Sequence, residues 1–264
     1  MQLRQARQQI EDWFTFVGNI IPIAICGKAK QGGRSRIGLH LRGEVMKVIE
    51  LNASVTESND RDADALRAEM KSRGTLMVNL MSSPGSGKTT LLSKTVTDLK
   101  SEMKIGVMEA DIASDVDAIK IESMGATAIQ AHTDGMCHVD AGMSKRALDA
   151  MNYDGLDLVF LENVGNLICP AEFDTGAGLK VMILSIPEGD DKPLKYPLMF
   201  QESDALVLTK VDALPYFDFD MDKCVERVKR LNPAIHIFPV SAKTGEGMDA
   251  FEDYLRAEVA NWKA

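Results

Sequence analysis

The sequence predicts an α/β protein with a mostly parallel central sheet and helices on both faces of that sheet. Short apolar runs of strand length recur along the chain, and stretches of helix length separate them. Strands that are apolar throughout are typical of parallel sheets, because helices cover both faces of such sheets. The chain has 264 residues, of which 45% are hydrophobic, and this is enough to build one large core.

The predicted elements alternate from residue 63 onward. A helix is predicted over residues 63–73, and Gly74 is a typical helix stop. Strands are predicted at residues 76–81, 105–108, 127–130, 158–161, 181–186, 205–208 and 235–240, of which 127–130 has the weakest pattern. Further helices are predicted at residues 89–99, 139–151, 221–231 and 248–262.

Composition and charge exclude several classes of protein. The chain has 39 acidic and 30 basic side chains, for a net charge of −9, which argues against non-specific nucleic-acid binding. No apolar run approaches the roughly 18–20 residues that cross a bilayer, so membrane insertion is not expected. The four cysteines, at positions 26, 137, 169 and 224, lack a disulfide spacing and indicate reduced thiols in a cytoplasmic protein.

Residues 1–45 differ in charge from the rest of the chain. They carry a net charge of +4, which leaves −13 for residues 46–264. Three interpretations are a secretory signal, a basic arm, and translation from a start upstream of a native Met46. The apolar run at 20–26 is too short for a signal core, and we favour the third interpretation. We expect this basic N-terminal extension to add little to the fold, and residues 46–264 to form the working domain.

A phosphate-binding loop follows the strand at residues 76–81. The residues are Ser82-Ser83-Pro84-Gly85-Ser86-Gly87-Lys88-Thr89, with Ser82 where the first glycine is usual. Glycines let the backbone approach phosphate oxygens, the lysine reaches the β- and γ-phosphates, and the threonine hydroxyl ligates Mg²⁺. The start of a helix adds the positive end of its dipole. The predicted nucleotide-binding residues here are Ser83, Gly85, Ser86, Gly87, Lys88, Thr89 and Thr90.

Two later strand ends favour GTP over ATP. Residues Thr209-Lys210-Val211-Asp212 resemble the Asn-Lys-x-Asp motif of GTPases, with threonine in place of asparagine. Asp212 can accept hydrogen bonds from guanine N1–H and from its amino group, whereas adenine offers no such donor pair. Residues Ser241, Ala242 and Lys243 resemble the element that contacts guanine O6. Ligands of open α/β sheets bind at this carboxyl edge.

The groups that hold Mg²⁺ and water are predicted at two other strand ends. Asp111 follows the strand at 105–108 and is the candidate that orients Mg²⁺ or the attacking water. Glu162 and Gly165 resemble the Asp-x-x-Gly element of GTPases, with a carboxylate for Mg²⁺ and an N–H for the γ-phosphate. Phosphoryl transfer depends on positioning and on charge stabilisation, so Lys88, Asp111 and Glu162 are the predicted catalytic residues.

A second metal site is predicted from the cysteines. Cys137 and His138 are adjacent, and Cys169 lies four residues after Gly165. Thiolates with an imidazole suit Ni²⁺ or Zn²⁺. No closed four-ligand pattern is present, so buried small thiols remain the alternative. Cys224 and His236 are expected to be structural, and His132 is a weaker auxiliary candidate.

Four segments together resemble the HypB family, the nickel-inserting GTPases of nickel–iron hydrogenase maturation. They are VNLMSSPGSGKTTLL, Cys137-His138, LENVGNLICP and PEGDDKPLKYP, and the resemblance covers about residues 46–264. It implies a P-loop GTPase of the SIMIBI class that forms a nucleotide-dependent homodimer. It also implies a Ni²⁺ or Zn²⁺ site made by Cys137, His138 and Cys169. The implied partners are a HypA-like nickel chaperone and the hydrogenase large-subunit precursor.

The chain departs from some family members and leaves alternatives open. It has neither an N-terminal Cys-x-x-Cys-Gly-Cys site nor a histidine-rich tract, so nickel storage is not expected. Because Cys169 follows Gly165 closely, nucleotide state is expected to alter the metal geometry. The alternatives are a metal carrier with GTP as a switch only, and a related GTPase for urease or cobalamin-enzyme maturation.

Overall fold

A computed structural model describes residues 40–41, 44–45, 51–110, 125–133 and 135–264. The chain divides into two units, residues 1–49 and residues 50–264. In the first unit, the strands His40–Leu41 and Glu44–Val45 pair in antiparallel fashion. Within the described residues, no helix is both long and apolar enough to cross a membrane.

The described residues of the second unit form a seven-stranded sheet in which every pair is parallel. Its strands are β1 (Leu76–Ser82), β2 (Ile105–Glu109), β3 (Thr127–Gln130), β4 (Leu158–Glu162), β5 (Leu179–Ser185), β6 (Ala205–Thr209) and β7 (His236–Pro239). The order across the sheet is β3-β2-β4-β1-β5-β6-β7. The phosphate-loop strand β1 therefore lies at the centre, and the carboxyl ends of all strands share one edge.

Helices cover both faces of this sheet. They are α1 (Leu51–Arg73), α2 (Lys88–Leu99), α3 (Ala141–Met151), α4 (Cys169–Glu172), α5 (Lys192–Lys195), α6 (Pro197–Gln201), α7 (Met221–Leu231) and α8 (Met248–Lys263). Two 3₁₀ turns lie at Ile186–Glu188 and Val211–Tyr216. Alternate residues of a strand point to opposite faces. Accordingly, Val78 packs with α2 and α8, whereas Met77 packs with α1 and α3.

The predicted α/β class is confirmed, and the described strands lie within one or two residues of their predicted bounds. The weakly patterned strand β3 lies at an edge of the sheet, where its residues are partly exposed. The largest difference is α1, which begins at Leu51 rather than residue 63. Its first turns lack an apolar stripe, and Asn59 fixes them by donating to Asp174 O at 2.9 Å and accepting from Ala141 N at 3.0 Å.

Candidate nucleotide and metal sites at the carboxyl edge

The phosphate-binding loop joins β1 to α2 in the conformation that its glycines allow. Gly85 and Gly87 have φ values of 74° and 97°, which side chains rarely adopt. The Ser86 hydroxyl donates to Ser82 Oγ at 2.7 Å, and Ser82 is fully buried. The serine in place of the first glycine therefore stabilises the loop through a buried hydrogen bond. Lys88 opens α2 and is only 5% exposed.

The end of β6 is bonded directly to the phosphate loop. Thr209 Oγ1 donates to Ser86 O at 2.7 Å, and Lys210 Nζ donates to Gly85 O at 2.7 Å. Lys210 has a left-handed backbone with φ 62°, which turns its side chain back over the loop. The guanine-type motif is therefore held in place by the loop that precedes it in the chain by more than a hundred residues.

A small cavity opens between these elements. Its volume is about 260 Å³, and Ser241 Oγ donates to Asp212 Oδ1 at 2.8 Å at its wall. The lining residues are Gly87, Thr90, Thr209, Lys210, Asp212, Ala213, Ser241, Ala242 and Lys243. The hydroxyl orients one carboxylate oxygen, which fits the role predicted for Asp212 as an acceptor.

The predicted magnesium groups meet beside the loop. Thr89 Oγ1 donates to Glu162 Oε1 at 3.0 Å, and Glu162 is 4% exposed. A half-buried hydroxyl beside a buried carboxylate offers the kind of oxygen ligands that Mg²⁺ takes in nucleotide sites, so these residues fit the ion. Asp111 lies outside the described residues. A Cβ on Gly165 would meet Pro84 Cγ at 3.0 Å and Pro84 N at 3.2 Å, so this glycine lies against the phosphate loop.

The three predicted thiol and imidazole ligands converge. Their ligand atoms all lie within 4.8 Å of one another. The two sulfur atoms of Cys137 and Cys169 are 2.9 Å apart, and Cys137 Sγ is 3.8 Å from His138 Nδ1. Cys137 is exposed, and Cys169 is half-buried at the start of α4. Within the described part of the chain, His132 does not belong to this cluster.

Packing around the cluster fixes the imidazole. The His138 ring stacks on Phe173 with a centroid distance of 3.7 Å and an interplanar angle of 14°. Burial lowers the pKa of His138, although the carboxylates of Asp140 and Glu172 act in the opposite direction. A neutral imidazole is the form that binds metal. The hydrogen bond with the Cys169 thiol raises the pKa of Cys137.

Two residues at the metal cluster were not predicted from the sequence. Phe173 carries the stacking contact, and Asn166 bonds both cysteine-bearing segments, with Nδ2 donating to Cys137 O and Oδ1 accepting from Ile168 N. Cys224, expected to be structural, is fully buried in α7, and burial raises its pKa to about 12. His236 is instead exposed on the edge strand β7, beside the ring of Tyr254 at 4.9 Å.

Comparisons with known proteins agree with this geometry. The family model described as CobW/HypB/UreG, nucleotide-binding domain, matches residues 76–239. The hydrogenase maturation factor HypB of Escherichia coli (strain K12) is 43% identical over 227 residues, which cover 86% of this chain and 78% of that protein. The chain belongs to the HypB family.

Crystal structures of HypB proteins share this fold. HypB from Archaeoglobus fulgidus is 36% identical with a TM-score of 0.73, and the match covers 77% of this chain and 99% of that one. HypB from Helicobacter pylori, solved in complex with nickel, is 35% identical with a TM-score of 0.73, over 78% of this chain and 98% of that one. The resemblance to HypB and the predicted fold class are both confirmed.

Proposed function

We propose that this HypB-family protein hydrolyses GTP to GDP and phosphate and delivers nickel to the large subunit of a nickel–iron hydrogenase during maturation. The observation that carries the proposal is the Cys137–His138–Cys169 cluster beside the nucleotide loops. Its three ligand atoms lie within 4.8 Å, and Cys169 follows the glycine that packs on the phosphate loop. The nickel complex of the H. pylori relative supports Ni²⁺ as the cargo.

The nucleotide half of the proposal assigns roles to the residues at the cavity. Asp212 reads the guanine edge, and Lys210 lies along the base while bonded to Gly85 O. The glycine-rich loop surrounds the phosphates, and Lys88 places its charge at the β- and γ-phosphates. Mg²⁺, held by Thr89 and Glu162 and expected also at Asp111, would neutralise charge that develops on the phosphate oxygens.

The metal half requires the cluster to respond to the nucleotide. A ligand shifts a conformational equilibrium only when it binds the two states differently. The γ-phosphate, present in GTP and absent in GDP, would contact the Gly165 backbone and displace the segment leading to Cys169. We infer that Ni²⁺ is held more tightly in one nucleotide state and passed on in the other.

Three protein ligands leave room for further ligation of the metal. A nucleotide-dependent homodimer would bring two such clusters together, and a HypA-like nickel chaperone and the hydrogenase precursor would supply and receive the ion. We further propose that residues 46–264 carry all of these activities. A chain that starts at Met46 is expected to hydrolyse GTP as the full chain does.

The deciding experiment is a Ni²⁺ titration of nucleotide-free, GDP-bound and GTP-analogue-bound protein, with thiolate charge-transfer absorbance and sedimentation read together. We expect different Ni²⁺ affinities in the GDP and GTP-analogue states, and loss of binding in Cys137→Ala/Cys169→Ala. Cys224→Ala is the matched control, because its thiol is buried away from the cluster. Equal affinities in both states would contradict the coupled function. A GTP hydrolysis rate that changes with neither the metal nor the partner would instead favour a metal carrier regulated by GTP.

A further inference from the structure

Asn166 joins the two backbone segments that carry the metal-binding thiols. Its Nδ2 donates to the carbonyl oxygen of Cys137 at 3.2 Å. Its Oδ1 accepts from the backbone N–H of Ile168 at 2.9 Å, and Ile168 directly precedes Cys169. The Asn166 amide therefore links the Cys137 segment to the start of α4, in addition to the stack of His138 on Phe173.

Asn166 directly follows Gly165, the glycine that packs against the phosphate loop. Gly165 lies so close to Pro84 that an added Cβ would meet the Pro84 nitrogen at 3.2 Å. On either side, Val164 and Leu167 are buried, whereas Asn166 is only half-buried. Because the flanking side chains are anchored in the core, a shift of Gly165 has to be taken up by the adjoining peptide that carries Asn166.

The asparagine amide supplies one donor and one acceptor on neighbouring atoms, as these two bonds require. The carbonyl oxygen of Cys137 requires a donor, and the N–H of Ile168 requires an acceptor. A carboxylate at position 166 would still accept from Ile168 but would face the Cys137 carbonyl oxygen with negative charge. An alanine would make neither bond.

We propose that Asn166 is a positioning residue of the metal site, which converts the position of the Gly165 loop into the spacing of the Cys137 and Cys169 thiols. The proposal rests on the proposed function, since it names the contact through which nucleotide state reaches the metal. Hydrogen-bond partners that orient metal ligands commonly change metal affinity by about 10- to 100-fold when removed. We expect a similar loss here.

The test compares Ni²⁺ binding by wild-type protein, Asn166→Ala and Asn166→Asp in the GDP and GTP-analogue states. Affinity and the thiolate-to-nickel absorption band are measured in each state. We expect about 10-fold weaker binding and a shifted band in both variants, and nearly equal affinity in the two nucleotide states. Asn166→Asp keeps the size of the side chain, so it still tests the role of the bond to Cys137 O if the alanine variant folds poorly.

The chain contains a matched control at the opposite edge of the sheet. Asn232 Oδ1 accepts from Ala234 N, two residues on, and its Nδ2 donates to Ser203 O at 2.8 Å. Asn232→Ala therefore removes the same type of contact, and we expect unchanged nickel binding. If Asn166→Ala retains the wild-type difference in Ni²⁺ affinity between the GDP and GTP-analogue states, this inference alone is overturned. Equal wild-type affinities in the two nucleotide states would overturn both this inference and the coupled function.

Discussion

The nucleotide-binding loops and the metal cluster lie at the same edge of the sheet but are stabilised by different contacts. On the nucleotide side, Thr209, Lys210 and Ser241 each bond a neighbouring loop at 2.7–2.8 Å. On the metal side, the Cys137 thiol is exposed, and one amide, that of Asn166, bonds both ligand segments. The first region is preorganised by several hydrogen bonds, whereas the second combines a buried, stacked imidazole with an exposed thiol.

The two regions therefore differ in what they contribute to specificity and to switching. A preorganised site loses little entropy when its ligand binds and discriminates strongly between similar ligands. A cluster with an exposed thiol ligand can change its geometry when one adjoining loop moves. Variants on the nucleotide side should therefore alter turnover or nucleotide choice, while the nucleotide-free metal site keeps its affinity.

The largest effect is expected from Lys88→Met, which keeps most of the length of the buried side chain and removes its charge. We expect GTP hydrolysis to fall roughly 100- to 1000-fold, as when other transition-state donors are removed. Ni²⁺ affinity without nucleotide should be unchanged, because Lys88 belongs to α2 and not to the cluster. Single-turnover hydrolysis and metal titration measure the two quantities. A parallel loss of nickel binding would show that the regions are not separable.

Asp212→Asn tests base recognition with a smaller expected effect. The amide offers guanine only one acceptor in place of two, and a buried polar group left without its partner is costly. We expect GTP binding to weaken about 100-fold and xanthosine triphosphate binding to improve. Competition binding with GTP, ATP and xanthosine triphosphate measures the change. An unchanged preference for GTP would contradict the assignment of Asp212.

Thr209→Val removes one hydroxyl that links β6 to the phosphate loop. Thr209 is buried, so the variant leaves the Ser86 carbonyl oxygen without its 2.7 Å donor at a cost of about 1–2 kcal/mol. We expect the KM for GTP to rise about 5- to 10-fold with a smaller change in kcat. Steady-state kinetics measure this split. Thr209→Ser retains the hydroxyl and should behave as wild type; equal defects in both variants would point to packing instead.

Glu252→Gln tests the packing of α8 against α2 and should have the smallest functional effect. Burial, together with a hydrogen bond to Asp98, raises the pKa of Glu252 from 4.5 to about 7, while Lys94 and Arg256 act to lower it. The folded state therefore holds the proton more tightly. The contribution of Glu252 to the free energy of unfolding should be greatest below pH 4.5 and should fall by at most about 3 kcal/mol as the pH rises to 7.

The glutamine variant mimics the protonated acid and does not titrate, so the stability of the wild type relative to this variant should fall between pH 4.5 and 7. Urea unfolding of both proteins at several pH values measures this difference, with Glu258→Gln on the same helix as the control. Nickel affinity at constant pH should not change. A wild-type stability that increases relative to the glutamine variant over this range would contradict the direction of the shift.

The sequence predicted the sheet well because buried parallel strands are continuous apolar runs. It predicted α1 poorly, since the turns before Ala63 are polar and are fixed by the long-range bonds of Asn59. The short helices α5 and α6 were also missed, because four or five residues are too few to show helical periodicity. Their prolines in the first turn are the one local signal.

The candidate sites show the same limit. Motif spacing and family resemblance were enough to predict the phosphate loop, Asp212 and the thiol ligands. Asn166 and Phe173 were not predicted, since an asparagine after a strand and a phenylalanine after a short helix are ordinary loop residues. Their roles depend on partners 29 and 35 positions away in the chain, which local patterns do not specify.

The strand order has a consequence for how such proteins diversify. Among the described residues, the strands on the thiol side of β1 come from residues 105–162, and the strands on the base side come from residues 179–239. Each half of the sheet is thus one contiguous stretch of chain, and a gene segment encoding it could be exchanged as a block. Recombination over residues 105–172, a stretch that also includes Cys169 and α4, could then give a new metal preference to an existing base preference without rebuilding the phosphate loop.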